Sequence, residues 1–362
     1  MRKYLNQIKN NPLFLFILAL MLFYFSSFYP SLTERFYSQG IFKIIAPTYS
    51  RITGLLPFSI AELIIGIFII TILFSLGRLL KKKIRVNLKY FKKVIFIFSL
   101  IYFLFITTWG INYNRYTFAQ IAQLEIKPAT IEELTGLTED LIIKVNEFRA
   151  LVLEDDQRVM KLPNGIPNMF QRASEGFKRA GEVYPELSGT YGKPKGVLFS
   201  EVMAYLGIGG FYFPFTAEAN INTLLPPPML PFVTAHEMAH QRGFAREDEA
   251  NYLAYLTTSK HPDVDFQYSG HLMALSHAMS ALRTAAPEKA LALQEQYSEG
   301  VKRDLITLNQ YWQKYDTFID TIATEINNLF LRANMQQDGV DSYSRMIDLL
   351  LAEYRQKNKE NL

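Results

Sequence analysis

His236, Glu237 and His240 stand in the spacing His-Glu-x-x-His, inside the stretch V-T-A-H-E-M-A-H-Q-R-G-F-A-R-E-D-E-A-N-Y-L-A-Y-L at residues 233–256. On an α-helix the two histidines fall one turn apart on one face. Both imidazoles then reach a single Zn²⁺, and the glutamate lies beside the water such an ion holds. A zinc site of this kind needs a third protein ligand and one open position. Gly243, three residues after His240, ends the first helix and lets the chain fold back. A second helix follows from about Arg246 to Thr258. It opens on three acids, Glu247, Asp248 and Glu249. Glu247 has Asn251 at i+4, a polar group able to orient a zinc-bound histidine, whereas Glu249 has Leu253 there. Glu247 is therefore preferred as the third ligand and Glu249 is the alternative. Asp248 points elsewhere and serves as a helix N-terminal charge. The competing explanation is a chance match on an amphipathic helix. Against it, two of the chain's five histidines sit in this motif.

The same residues carry a resemblance. H-E-x-x-H followed by E-x-x-x-N resembles the gluzincin branch of the zincin metallopeptidases, which use two histidines and a glutamate as ligands and the motif glutamate as general base. The longer run H-E-M-A-H-Q-R-G-F-A-R-E-D-E-A-N-Y-L-A-Y-L, with G-F-Y-F-P-F-T-A-E-A-N-I-N upstream, resembles a family of bacterial membrane proteins catalogued as a domain of unknown function. That similarity spans nearly the whole chain. The spacer of six residues between His240 and Glu247 is shorter than in typical gluzincins. The resemblance implies Zn²⁺ as cofactor, Glu237 as catalytic base and peptide hydrolysis as the reaction.

Apolar runs at about 12–29, 60–77 and 94–111 are each long enough to cross a hydrocarbon core. No small-x-small cleavage site follows the first, so it is taken as an anchor. The loop at 78–93 holds the densest cluster of Lys and Arg and is expected in the cytoplasm, together with the N-terminus. Everything after Trp109 then lies outside, with Trp109 and Tyr113 in an aromatic belt at the outer interface. Glu62, near the outer end of the second span, reads as an interfacial or packing carboxylate. Residues 1–113 form the membrane anchor, and 114–362 an extracytoplasmic domain.

Of 38 Lys and Arg against 34 Asp and Glu, 14 and two lie in the first 113 residues, so the remainder is acidic by eight. An acidic outer domain argues against nucleic acid as a partner. The partners expected are the lipid bilayer and a peptide or protein substrate. The absence of cysteine excludes a disulfide framework, a thiolate zinc site and a cysteine nucleophile.

The elements that must position the motif are mostly helical. A capping box, Thr130 with Glu133, starts a helix running to about Leu151. Others are expected at 168–183, 266–283, 288–297 and 304–332, with a last one capped near Asp341 or Ser342. The β region is 196–223, including V-L-F-S-E-V-M-A-Y and the strand A-E-A-N-I-N. That strand places Glu218, Asn220 and Asn222 on one side, either as an edge for a peptide substrate or as the water-facing side of a structural hairpin. Tyr268, Tyr212 and Tyr343 are candidates for the oxyanion donor. His271 and His277, six apart, do not make a second metal pair, and Tyr311, Trp312 and Tyr315 read as core. The fold expected is mainly α with a small β-sheet (α+β, zincin-like), following three transmembrane helices. The function expected is a membrane-anchored zinc metallopeptidase. The alternatives are a non-catalytic membrane protein with a structural or inactive zinc site, or a zinc amidohydrolase acting on cell-wall peptides.

Overall fold

Apolar residues at helical spacing dominate the chain, and the structure, a computed structural model, is accordingly mainly α-helical with a small open sheet. It describes residues 11–81, 88–334, 336 and 345–360. Tyr343 and the expected cap at Asp341 or Ser342 lie outside those residues.

Two helices, α3 (Ile60–Leu80) and α4 (Leu88–Thr108), are long and apolar enough to cross a membrane. The first apolar run is different. Its helix α1 (Phe14–Phe28) has 15 residues, about 22 Å at 1.5 Å per residue, which falls short of a hydrocarbon core of about 30 Å. At Tyr29 and Pro30 the path turns by 103° into the helical stretch Pro30–Thr53, and the bent pair counts as a third span only if taken together. Proline at the first turn cannot continue the preceding helix, because it has no N–H to donate back.

The stretch between the first two apolar runs is not a simple loop. Thr33–Ile41 forms a π-helix and Phe42–Thr53 the helix α2. Tyr37, Phe42 and Ala46 are buried with Trp109, Tyr113, Ala217 and Ala245 in a core of their own. Trp109 and Tyr113 are thus packed inside the protein, 5 % and 3 % exposed, rather than set in an aromatic belt facing lipid. Lys43 donates to the carbonyls of Pro185, Glu186 and Ser188, and Thr53 to that of Thr216. These long-range bonds tie α2 to the domain that follows α4.

That domain starts with α5 (Ile131–Arg149), opened by the Thr130–Glu133 capping box. A hairpin of β1 (Leu153–Glu154) and β2 (Met160–Lys161) follows, then α6 (Gly165–Arg172) and α7 (Ser174–Val183). The second sheet has the order β3-β5-β4, from β3 (Lys195–Gly196), β4 (Gly210–Phe213) and β5 (Glu218–Ile221). β5 is central, parallel to β3 and antiparallel to β4, with Phe211 opposite Asn220. The expected strand V-L-F-S-E-V-M-A-Y instead contains the short helix α8 (Ser200–Tyr205). The amides of Leu198 and Phe199 are bound by the carboxylate of Glu62, which withdraws them from a ladder.

Helices α9 (Leu230–Gln241), α10 (Glu247–Ser259) and α11 (Val264–Ala285) form the centre. All but two residues of α9 are buried, because the sheet lies on one side of it and α10 and α11 on others. The rest is α12 (Pro287–Gln294), α13 (Glu299–Tyr315), α14 (Phe318–Ala333) and α15 (Met346–Glu360). The expected single helix over 304–332 breaks between α13 and α14, where Thr317 is extended at φ −140° and ψ 168°.

Candidate metal centre

The motif helix α9 carries His236, Glu237 and His240, and its end is shaped by glycine. Gly243 has φ +85°, a conformation open to glycine at little cost. Its amide bonds to the His240 carbonyl and that of Phe244 to the Ala239 carbonyl, the paired bonds of a Schellman turn. A side chain at Gly243 would also meet Phe42 at 2.9 Å. The chain therefore doubles back within a few residues, and α10 delivers Glu247 to the histidines.

His236 Nε2, His240 Nε2 and a carboxylate oxygen of Glu247 converge. The separations are 3.0 Å between the two Nε2 atoms, and 3.1 and 3.4 Å from them to Glu247 Oε2. An ion bonded to nitrogen and oxygen at about 2.0–2.1 Å in tetrahedral geometry has ligand–ligand edges of about 3.4 Å. The donor set fits such an ion on a second count. His240 Nδ1 lies 2.7 Å from the Phe244 carbonyl and must donate to it, and His236 Nδ1 lies 2.8 Å from Asn251 Oδ1. With both Nδ1 atoms so engaged, the Nε2 lone pairs are left facing one another and the carboxylate, which a shared cation stabilises. Protons show the same preference. Burial opposes charge on His240, but Glu247 outweighs it and holds the imidazole up at about 9. Burial likewise works against ionised Glu247, yet the two histidines keep it well below the usual carboxylate range. The cluster of His236, His240 and Glu247 is capable of coordinating a metal ion.

Glu237 sits beside it, buried, its carboxyl pushed up by burial against the opposing pull of His236 and His240. A backbone hydrogen bond from Tyr212 reaches it, while Oε2 has no partner among the described residues. Gly210 makes this approach of β4 possible, since a Cβ there would stand 2.7 Å from Glu237 Cγ.

The other sequence candidates separate. Glu249 faces away from the cluster and accepts from the Phe118 amide at 3.1 Å; burial raises its carboxyl to about 7. Its side chain leaves α10 on the face that packs toward Phe118 rather than toward α9. Tyr268 is fully buried and donates to Asp304 at 2.6 Å, so it is a core residue outside the cavity. Tyr212 lines the cavity but packs on Trp109 with its ring centroid 5.6 Å away. Glu218, Asn220 and Asn222 are not a substrate edge. They are buried on or just after the middle strand. Glu218 pairs with Lys195 at 2.6 Å and accepts from the amides of Ile60 and Ala61, while Asn220 accepts from Ser59. Asn222 donates to the Ile208 carbonyl and to the Tyr311 hydroxyl. The polar side of β5 thus fastens the domain to the start of α3. Among the described residues, β4 is the strand beside the cluster whose outer edge no other strand pairs, the Tyr212 amide there being bonded to Glu237.

The cluster lies in a cavity of about 1030 Å³. Sequence reasoning missed several of its residues. His277, considered only for a second metal pair, lines it, and burial lowers its imidazole to about 4, so the ring is neutral at ordinary pH. The signal was the i, i+4 spacing of Met273 and His277, both on the cavity face of α11. Trp312, read as core, also borders the cavity, as does Phe105 of α4. Arg115 was not singled out at all. It is buried, holds Glu34 through two bonds of 2.7 and 2.9 Å, and donates to the carbonyls of Arg242 and Gly243 at the end of α9.

Fold and site together define a membrane-associated protein that carries a His/His/Glu cluster suited to a metal ion. The model of the DUF3810 family, described as a protein of unknown function, matches residues 37–351, and the chain belongs to that family. No curated protein and no solved structure matches it.

Proposed function

We propose that the protein is a membrane-anchored zinc metallopeptidase, with His236, His240 and Glu247 as ligands and Glu237 as general base. The observation that carries this reading is the pairing of a three-donor cluster with a buried carboxylate whose second oxygen has no partner among the described residues. A purely structural site, closed by four ligands, has no use for such a group. Zinc bound there would supply Lewis acidity and bring water toward neutral pKa. Glu237 then takes a proton at its unpartnered oxygen and returns it to the leaving amine. Asn251 and the Phe244 carbonyl fix the two imidazoles with Nδ1 as the donor. The outer edge of β4, where no other strand among the described residues pairs and where the Tyr212 amide is held by Glu237, receives an extended peptide through its remaining backbone groups. Neutral His277 and the buried Tyr212 hydroxyl, which has no partner among the described residues, both line the cavity and are the donors available to a developing oxyanion. The N-terminus and the 78–93 loop are assigned to the cytoplasm and the metal centre to the outer face, which supports an extracytoplasmic substrate.

The test is Glu237→Gln in the full-length protein. Zinc content is expected to stay near that of the wild type, while cleavage of a peptide library falls at least roughly 10²-fold. A wild type that holds zinc and cleaves nothing in a broad library contradicts the peptidase reading.

A further inference from the structure

One wall of the cavity is built unlike the rest. Phe318, Ile319, Ile322, Ile326, Leu329 and Phe330 of α14 are all exposed. At about 100° per residue these six fall within an arc of about 120°, while Asp320, Thr321, Thr324, Glu325, Asn328 and Arg332 occupy the rest of the circumference together with buried Leu331. Contiguous exposed apolar faces of this kind mark surfaces that meet another apolar phase. The neighbours of this face bear on which phase it meets. Phe330 packs against Phe105, ring centroids 6.2 Å apart, in the last turn of the membrane-length helix α4. Phe105 itself lines the cavity that holds the metal cluster. Separately, Glu62 in the first turn of α3 binds the amides of Leu198 and Phe199. Those two side chains are 85 % and 60 % exposed. Both exposed apolar patches are therefore joined to the domain-side ends of membrane-length helices, the level at which an amphipathic helix would lie if those helices span a bilayer.

We propose that α14 lies in the bilayer interface and that the cavity opens between α14 and α4 toward the lipid. The site then receives a polypeptide anchored in the same membrane, whose apolar part stays in lipid while the chain reaches β4. The substrate class rests on the peptidase reading above; the position of α14 does not.

The natural absence of cysteine makes the position measurable by single-cysteine nitroxide labels. The full-length protein is placed in vesicles of phosphatidylethanolamine and phosphatidylglycerol, labelled in turn at Ile326→Cys, Leu329→Cys, Thr321→Cys and Glu325→Cys. Collisions with oxygen are expected to exceed those with a water-soluble nickel complex at 326 and 329, and the order to reverse at 321 and 325. Nickel equalling or exceeding oxygen at 326 and 329 overturns the proposal. For the substrate class, one peptide is compared with and without a palmitoyl anchor. The wild type should prefer the anchored form at least roughly tenfold in kcat/KM. Mere concentration on the vesicle surface would favour it for any variant alike. The preference must therefore fall in the double variant Ile326→Glu, Leu329→Glu, and an unchanged ratio overturns the substrate class. Zinc-loaded wild type that cleaves neither peptide contradicts the peptidase reading, and the label profile alone then decides the position of α14.

Discussion

The floor and the outer wall of one cavity follow opposite rules. On the floor, hydrogen bonds fix the groups of α9 and α10 that would hold the ion: His236 to Asn251, His240 to the Phe244 carbonyl, and the α9 end to Arg115. On the wall, α14 turns large apolar side chains to the mouth of the cavity and leaves them exposed. A centre that binds a small ion requires donors fixed within fractions of an ångström, and buried hydrogen bonds provide that. A surface that meets lipid or a varied chain requires apolar area and little fixed geometry. The difference teaches that precision and access are assigned to separate elements.

Breaking the floor should cost far more than altering the wall. Arg115→Ala leaves Glu34 buried without its cation and removes two bonds at the end of α9. A loss of about 3–5 kcal/mol is expected for such an orphaned charge, read as a large drop in the thermal unfolding midpoint in detergent. Restoring the balance with Glu34→Gln in the same chain should recover part of it. Asn251→Ala should leave the fold intact and weaken zinc binding by roughly 10- to 100-fold, measured by competition with a chelator. An unchanged affinity would mean that the His236–Asn251 bond does not orient the ligand.

Away from the cavity, Glu133 is held down to about 2 by Arg355 and the Thr130 amide. Its folded pKa is below the ordinary 4.5, so its contribution is present above pH 4.5 and fades as pH falls through about 2. The pair is partly exposed, so after screening it is worth about 1 kcal/mol. Arg355→Gln should flatten that acid limb of the stability profile by the same amount. The smallest effect belongs to the wall. Leu329→Ser should change stability by no more than about 0.5 kcal/mol, since its side chain is 68 % exposed. A loss of several kcal/mol would show that α14 packs as core.

Local chemistry made much of the floor readable in the sequence. The spacing of His236 and His240, the glycine at 243 and the Glu247–Asn251 pair each act within one or two helical turns, and the structure brings all of these residues together. The capping box at Thr130 is equally local. What was illegible depends on distant partners. Trp109 and Tyr113 read as a lipid-facing belt because nothing near them in sequence reveals the π-helical stretch that covers them. Glu218 and Asn220 alternate as an edge strand would, yet β3 pairs on the far side of β5 and the ends of the spans satisfy their side chains. Leu198 and Phe199 have strand propensity, and Glu62, more than 130 residues away, takes their amides. The break at Thr317, which frees α14 from α13, left no glycine or proline to mark it.

The central claim is that two histidines and Glu247 hold a metal while Glu237 does not. Elemental analysis of the purified full-length protein and four variants tests it most directly. Wild type, Glu237→Gln and Glu249→Gln are predicted to carry close to one zinc per chain, and His240→Ala and Glu247→Gln far less. Zinc retained in Glu247→Gln but lost in Glu249→Gln, or equal zinc in wild type and His240→Ala, would contradict the account.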